Sequence, residues 1–220
     1  MELIKITDRI SYLPGEQRTD RPLLYYIRGD RYSVAVDAGN SRAHVELFYS
    51  ALTAAGLPLP KLTVLTHWHW DHTFGLPYIH GASIATAKTQ EKLREVAQWA
   101  WTREAMDARE QTGEDIAFCN GCIREEYADL SEIRVQPADM GIDRLMALDL
   151  GGVKNNRLIR SGSYMTNDQY LECSHENSLD LQLYHEVLLH VLTRFPKCYD
   201  GTYKSRLLRL DEENRKAKQG

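Results

Sequence analysis

Apolar residues fall along this chain in short runs separated by polar turns. Leu23-Leu24-Tyr25-Tyr26-Ile27 and Tyr32-Ser33-Val34-Ala35-Val36-Asp37 flank Gly29-Asp30, the pattern of two strands joined by a tight turn. Ala38-Gly39-Asn40 ends the second run. Ser41 then suits the N-cap of a helix reaching about Ala55, with Val45, Phe48 and Leu52 on one face and Gly56 closing it. Pro58 and Pro60 punctuate. Leu62 to Thr66 predicts a short buried strand, and Ser83 to Ala87 another. From Thr89 to about Thr112 the period turns helical, with Leu93, Val96, Ala97, Ala100 and Trp101 as a core-packing stripe. Ile133 to Val135 and Leu145 to Gly152 return to strand character. Strands alternating with helices predict a layered domain of mixed α and β structure.

With 220 residues, 43% hydrophobic and 26% charged, the chain has ample material for a globular core. Its net charge of −4 argues against a nucleic-acid surface. No stretch approaches the roughly 18 apolar residues of a membrane span. Met1 to Lys5 lacks a basic n-region, so a cytoplasmic location is expected. Of four cysteines, Cys119 and Cys122 form a single CxxC, while Cys173 and Cys198 stand alone. A zinc site needs a second ligand pair, so all four are read as free thiols.

The chemistry concentrates in ten residues, Thr66-His67-Trp68-His69-Trp70-Asp71-His72-Thr73-Phe74-Gly75, directly after an apolar strand. Three imidazoles and a carboxylate at His-x-His-x-Asp-His spacing form a donor set suited to zinc or iron. Structural zinc sites close all four positions, often with cysteine. This cluster uses none, so it reads as a catalytic centre with an open face.

Tyr25 through Gly75 resembles the metallo-β-lactamase superfamily of metal hydrolases. The resemblance is carried by Val34-Ala35-Val36-Asp37-Ala38-Gly39 and by the histidine motif. Leu148-Asp149-Leu150-Gly151-Gly152 also resembles the strand preceding that family's third metal histidine. It implies an α+β fold, the four-layer αββα sandwich, over a single domain of residues 1–220. The likeness itself is confined to about 1–152, with a helical insert at about 88–130. It implies two zinc ions, with iron or manganese as alternatives. His67 and His69 would bind the first, and Asp71 and His72 the second. A metal-bound hydroxide, oriented by Asp71, would attack an ester, thioester, lactam, lactone or phosphodiester in a small-molecule substrate. Asp37 would hold the motif loop from below. Trp99 or Trp101, on a helical insert, could roof the cleft.

Downstream, the family pattern lapses. Its remaining ligands are a histidine after the Leu-Asp-Leu-Gly-Gly strand, a bridging Asp in a Gly-Asp pair, and a late histidine. No Gly-Asp follows Gly75. His175 is the candidate replacement, while His185 and His190 read as part of an ordinary amphipathic segment. The codons of Tyr164-Met165 can contain CAT, a histidine triplet in another frame. The segment after Gly152 is therefore either divergent or out of frame relative to an ancestor. Two functions stay open: a metallo-hydrolase, or a degenerate domain with an incomplete metal site and no turnover.

Overall fold

The computed structural model of the chain describes residues 1–143, 145–146, 148–152 and 159–160. They build a seven-stranded sheet in sequential order. Its strands are β1 (Ile4–Lys5), β2 (Ile10–Leu13), β3 (Leu24–Arg28), β4 (Ser33–Val36), β5 (Leu62–Val64), β6 (Ala82–Thr86) and β7 (Met140–Ile142). The first four strands pair antiparallel and the last four parallel. The predicted hairpin is β3–β4, with Tyr25 opposite Val36 and Arg28 opposite Ser33. Every parallel pair needs a crossover, and each of the three carries at least one helix.

The first crossover is α1 (Arg42–Ala54). Ser41 caps it as expected, its hydroxyl accepting from His44 N at 3.1 Å. His44, Val45, Phe48, Ala51 and Leu52 form its buried face. Phe48 and Leu52 pack on Leu13, Leu24, Tyr26 and Ala35 of the sheet. Burying each of the two is worth about 1.5–3 kcal/mol. Alternation along β6 puts Ile84 and Ala85 on opposite faces, where they join separate apolar clusters.

The predicted helix over Thr89 to Thr112 is instead two helices, α3 (Ala87–Val96) and α4 (Arg103–Thr112). Two caps explain the break. Thr86 accepts from Thr89 N, and Thr102 accepts from Ala105 N at 3.2 Å, starting a second helix. Between them, Trp99 and Trp101 leave the helical stripe and stack on the Arg109 guanidinium, 4.7 and 4.8 Å from the ring centroids. A further helix, α5 (Ala117–Glu126), which the periodicity did not reveal, carries Cys119 and Cys122, both free thiols. Trp70, Phe74, Val96, Met106, Ile123 and Tyr127 form the core under these helices.

Two strand expectations are corrected. Ile133 to Val135 is extended but unpaired; Ile133 is buried in the helical core rather than joined to a sheet. Among the described residues of the Leu145 to Gly152 run, strand is confined to β8 (Leu145–Met146), which pairs with β9 (Ile159–Arg160). Beyond it, Leu150 O accepts from Arg31 N at 2.9 Å and Gly151 O from Asp30 N at 3.0 Å. Those bonds tie this segment to the β3–β4 turn. Among the described residues, no helix is long and apolar enough to cross a membrane.

Candidate metal centre

The motif begins where β5 stops, at the carboxyl edge of the parallel strands. In open α/β sheets this is the edge at which ligand sites form. His69 is the N-cap of the short helix α2 (Trp70–Thr73), so Asp71 and His72 lie within its single turn. Thr73 ties the turn to the strand end by donating to His69 O at 2.9 Å. Gly75 must be glycine. A Cβ there would lie 2.1 Å from Ala38 O, because Gly75 N donates to Gly39 O and draws the two chain segments together.

Asp37 is the base of the site. It sits at the end of β4 with φ 66°, a left-handed conformation that Asp tolerates better than most residues. Its buried carboxylate accepts from Thr66 N at 2.8 Å and from Thr66 Oγ1 at 2.9 Å. It also meets His72 Nδ1 at 2.8 Å. One residue at the end of one strand therefore holds both ends of the motif, as expected for it.

These contacts set a tautomer. The Thr66 hydroxyl has a single proton, which it gives to Asp37. Its 2.9 Å contact with His67 Nδ1 must then be a bond accepted from Nδ1–H. That leaves His67 Nε2 with a bare lone pair, the form a metal ligand requires. Burial pushes the His67 pKa down to about 4, helped by the nearby His72 charge, and burial also lowers His69. Both rings are neutral at pH 7.

His72 is different. Burial alone would push its pKa down, but the carboxylates of Asp37 and Asp71 overcome that and raise it well above the ordinary value. Its Nε2 lies 3.0 Å from Asp71 Oδ2. Burial would raise the Asp71 pKa, yet His72 draws it below the usual carboxylate range.

The four expected ligands thus converge. The His67 ring centroid is 4.6 Å from that of His69 and 4.1 Å from that of His72. Their chemistry fits a zinc-type ion. Two ligands of one tetrahedral zinc, with bonds of ~2.0–2.1 Å, stand roughly 3.3 Å apart, close to the His72–Asp71 spacing. Their number does not complete a site. Among the described residues, no group of three or more His, Cys, Asp or Glu is arranged to hold a metal ion. His175, the candidate replacement ligand, lies outside the described residues, as do His185, His190 and the Tyr164-Met165 junction.

The sequence pattern did not point to Asp20, which belongs to the loop between β2 and β3. Burial raises its pKa, with the Asp71 carboxylate adding to the effect and His72 opposing it. It too has positive φ, 53°. A non-glycine residue held in that region is a signal only coordinates give. Cys119 is also near; burial pushes its thiol up to about 11. It is a neutral thiol at pH 7, so the CxxC contributes no thiolate here.

A mixed sheet whose strand ends deliver a histidine–aspartate cluster defines the class, an α+β fold with a metal-type centre at the sheet edge. Residues 20–137, more than half of the chain, match the family model of the metallo-beta-lactamase superfamily, and the chain belongs to that superfamily. Its members usually bind zinc. A comparison with curated proteins returns no match. Among solved structures, the chain is similar to a metallo-beta-lactamase of Cronobacter sakazakii, with 16% identity over 69% of this chain and 52% of that one and a TM-score of 0.46. It is also similar to FEZ-1 of Legionella gormanii, with 15% identity, 69% and 50% coverage and a TM-score of 0.45. BJP-1 of Bradyrhizobium japonicum gives 17%, 69%, 49% and 0.45. The chain spans about half the length of these structures.

Proposed function

We propose that the chain is a metal-dependent hydrolase acting on a small-molecule ester, thioester, lactam, lactone or phosphodiester. In this reading His67, His69, Asp71 and His72 hold divalent ions, zinc foremost, with iron or manganese as alternatives. When bound, such ions lower the pKa of water toward neutrality and polarise a carbonyl or phosphoryl oxygen. The chain's own groups do the rest. His67 and His69 are neutral at pH 7 and compete for no proton. Asp37 and Thr66 fix the direction of the lone pairs. Asp71, ionised at pH 7, can accept a hydrogen bond from an attacking water and orient it.

The observation that carries this reading is the Asp37–Thr66–His67 relay, which supports a ligand tautomer at His67. A second reading is a degenerate domain that binds metal weakly and turns nothing over; among the described residues no group of three or more His, Cys, Asp or Glu is arranged to hold an ion. Elemental analysis of the purified chain, beside a His67→Ala/His69→Ala variant, separates the two. About two ions per chain, lost in the variant, supports the hydrolase. Substoichiometric metal that washes out overturns it, and the gene sequence around Tyr164-Met165 then decides between divergence and a changed frame.

A further inference from the structure

A concave feature lies on the helical segment. It is an open cleft of about 660 Å³, between the start of α4 and the residues that follow α5. Trp99, Trp101 and Tyr127 provide apolar and planar walls, and Arg103, Arg124 and Arg134 bring three guanidinium groups to it. The only carboxylate lining it is Asp129, which already accepts from Ser131 N at 2.8 Å.

The charge balance there is unusual for this molecule. Most described arginines face a carboxylate: Arg18 meets Glu125, Arg21 Glu126, Arg42 Glu46 and Arg109 Asp115. Arg103 and Arg134 make no such pair among the described residues. Arg134 donates only to the carbonyls of Ser131 and Ile133, at 2.5 and 2.9 Å, which leaves its charge uncompensated. Glu104, next to Arg103 in sequence, feels its charge but forms no ion pair with it among the described residues. Arg124 spends one nitrogen on Asp107, yet its Nε is buried without an acceptor. Trp101 Nε1 is likewise buried and unpaired.

We infer that this cleft is a ligand site for a small anion carrying an apolar ring, an aryl phosphate or aryl carboxylate. The guanidinium forks suit the planar or tetrahedral oxyanion, and the Trp99 and Trp101 walls suit the ring. The Arg109 stack, which pairs with Asp115 at 2.7 Å, holds both indoles in place. The inference does not rest on the hydrolase reading.

The test is a titration of the full chain with phenyl phosphate and, separately, inorganic phosphate. Tryptophan fluorescence and calorimetry are the readouts, with EDTA present so that metal plays no part. Phenyl phosphate should bind saturably, more tightly than inorganic phosphate, and should weaken as sodium chloride is raised. The Arg103→Ala/Arg134→Ala variant, both positions exposed, should keep its circular dichroism and lose at least tenfold in affinity. A non-saturable titration, salt-independent binding, equal binding of the two anions, or unchanged affinity in the variant overturns the inference.

Discussion

His72 sits between Asp37 and Asp71, with Nδ1 2.8 Å from Asp37 Oδ2 and Nε2 3.0 Å from Asp71 Oδ2. The first contact crosses from the end of β4 to α2, so the motif is tied to the sheet by the side chain that would also bind metal. Asp37→Asn keeps a residue that tolerates positive φ but removes the charge. It should fold and lose about 10–100-fold in zinc affinity, the usual cost of a lost outer partner. Asp37→Ala also strands Thr66 N and the buried imidazolium, and should cost about 3 kcal/mol in urea unfolding. Equal zinc affinity in Asp37→Asn and the parent would sink this account.

Thr66 offers a finer test, because its hydroxyl links Asp37 to His67. Thr66→Val preserves shape and removes the relay. His67 is then free to place its proton on either nitrogen, and zinc affinity should fall about tenfold with little change in Tm. Thr66→Ser should restore it. Competition with a chromophoric chelator measures all three; a Ser variant as weak as Val would show that the hydroxyl is not what matters.

The metal-free protein should lose stability toward acid for a reason outside the motif. His44 is completely buried in α1 and its Nε2 has no partner. Burial, with Arg21 adding, holds its pKa down to about 3. Unfolded, it takes a proton near pH 6.5. Between those values the unfolded chain binds more protons at this group, so the His44 contribution is full above about pH 6.5 and declines as pH falls. The slope is about 1.4 kcal/mol per pH unit for one group. His67 adds a similar slope down to about 4. His44→Gln should reduce the slope by the one-group amount, measured by urea unfolding at several pH values in EDTA. An unchanged slope would mean that His44 titrates normally in the folded state.

Local signals in the sequence were strong where hydrogen bonds are local. The β3–β4 hairpin, the Ser41 cap, the Val45–Phe48–Leu52 face and the histidine motif all depend on neighbours within a few residues, and each was legible. The two-residue β1 and the β7 segment at Met140–Ile142 have too little pattern to read alone; pairing with a distant strand makes them strands. The helical stripe misled because Thr102 offers a cap that competes with continuing the helix. The centre divides the same way. His67, His69, Asp71 and His72 are adjacent in sequence and so converge, while Asp20 reaches their field only through the fold. Ile133 shows the converse, since an apolar run can be buried against helices without being a strand.

The loop carrying Asp20 is anchored in part by a largely buried ion pair, and that pair offers a final test. Arg21 reaches Glu126 at the end of α5 with two bonds, Nη2 to Oε1 at 2.6 Å and Nε to Oε2 at 3.1 Å. Ser41, the α1 cap, also donates to Glu126. The Glu126 side chain is 2% exposed and that of Arg21 20%, so the pair is substantially screened from water. Removing one partner leaves the other buried and unpaired, which typically costs about 3–5 kcal/mol. Glu126→Ala and Arg21→Ala should each destabilise by about 3 kcal/mol, and the double variant by much less than the sum. Because the loop brings the Asp20 carboxylate toward Asp71, Arg21→Ala should also change zinc affinity, whereas Arg18→Ala, at the exposed Glu125 pair, should not. Additive losses in the double-mutant cycle would show that the two side chains do not act as a pair, and that something else anchors the loop.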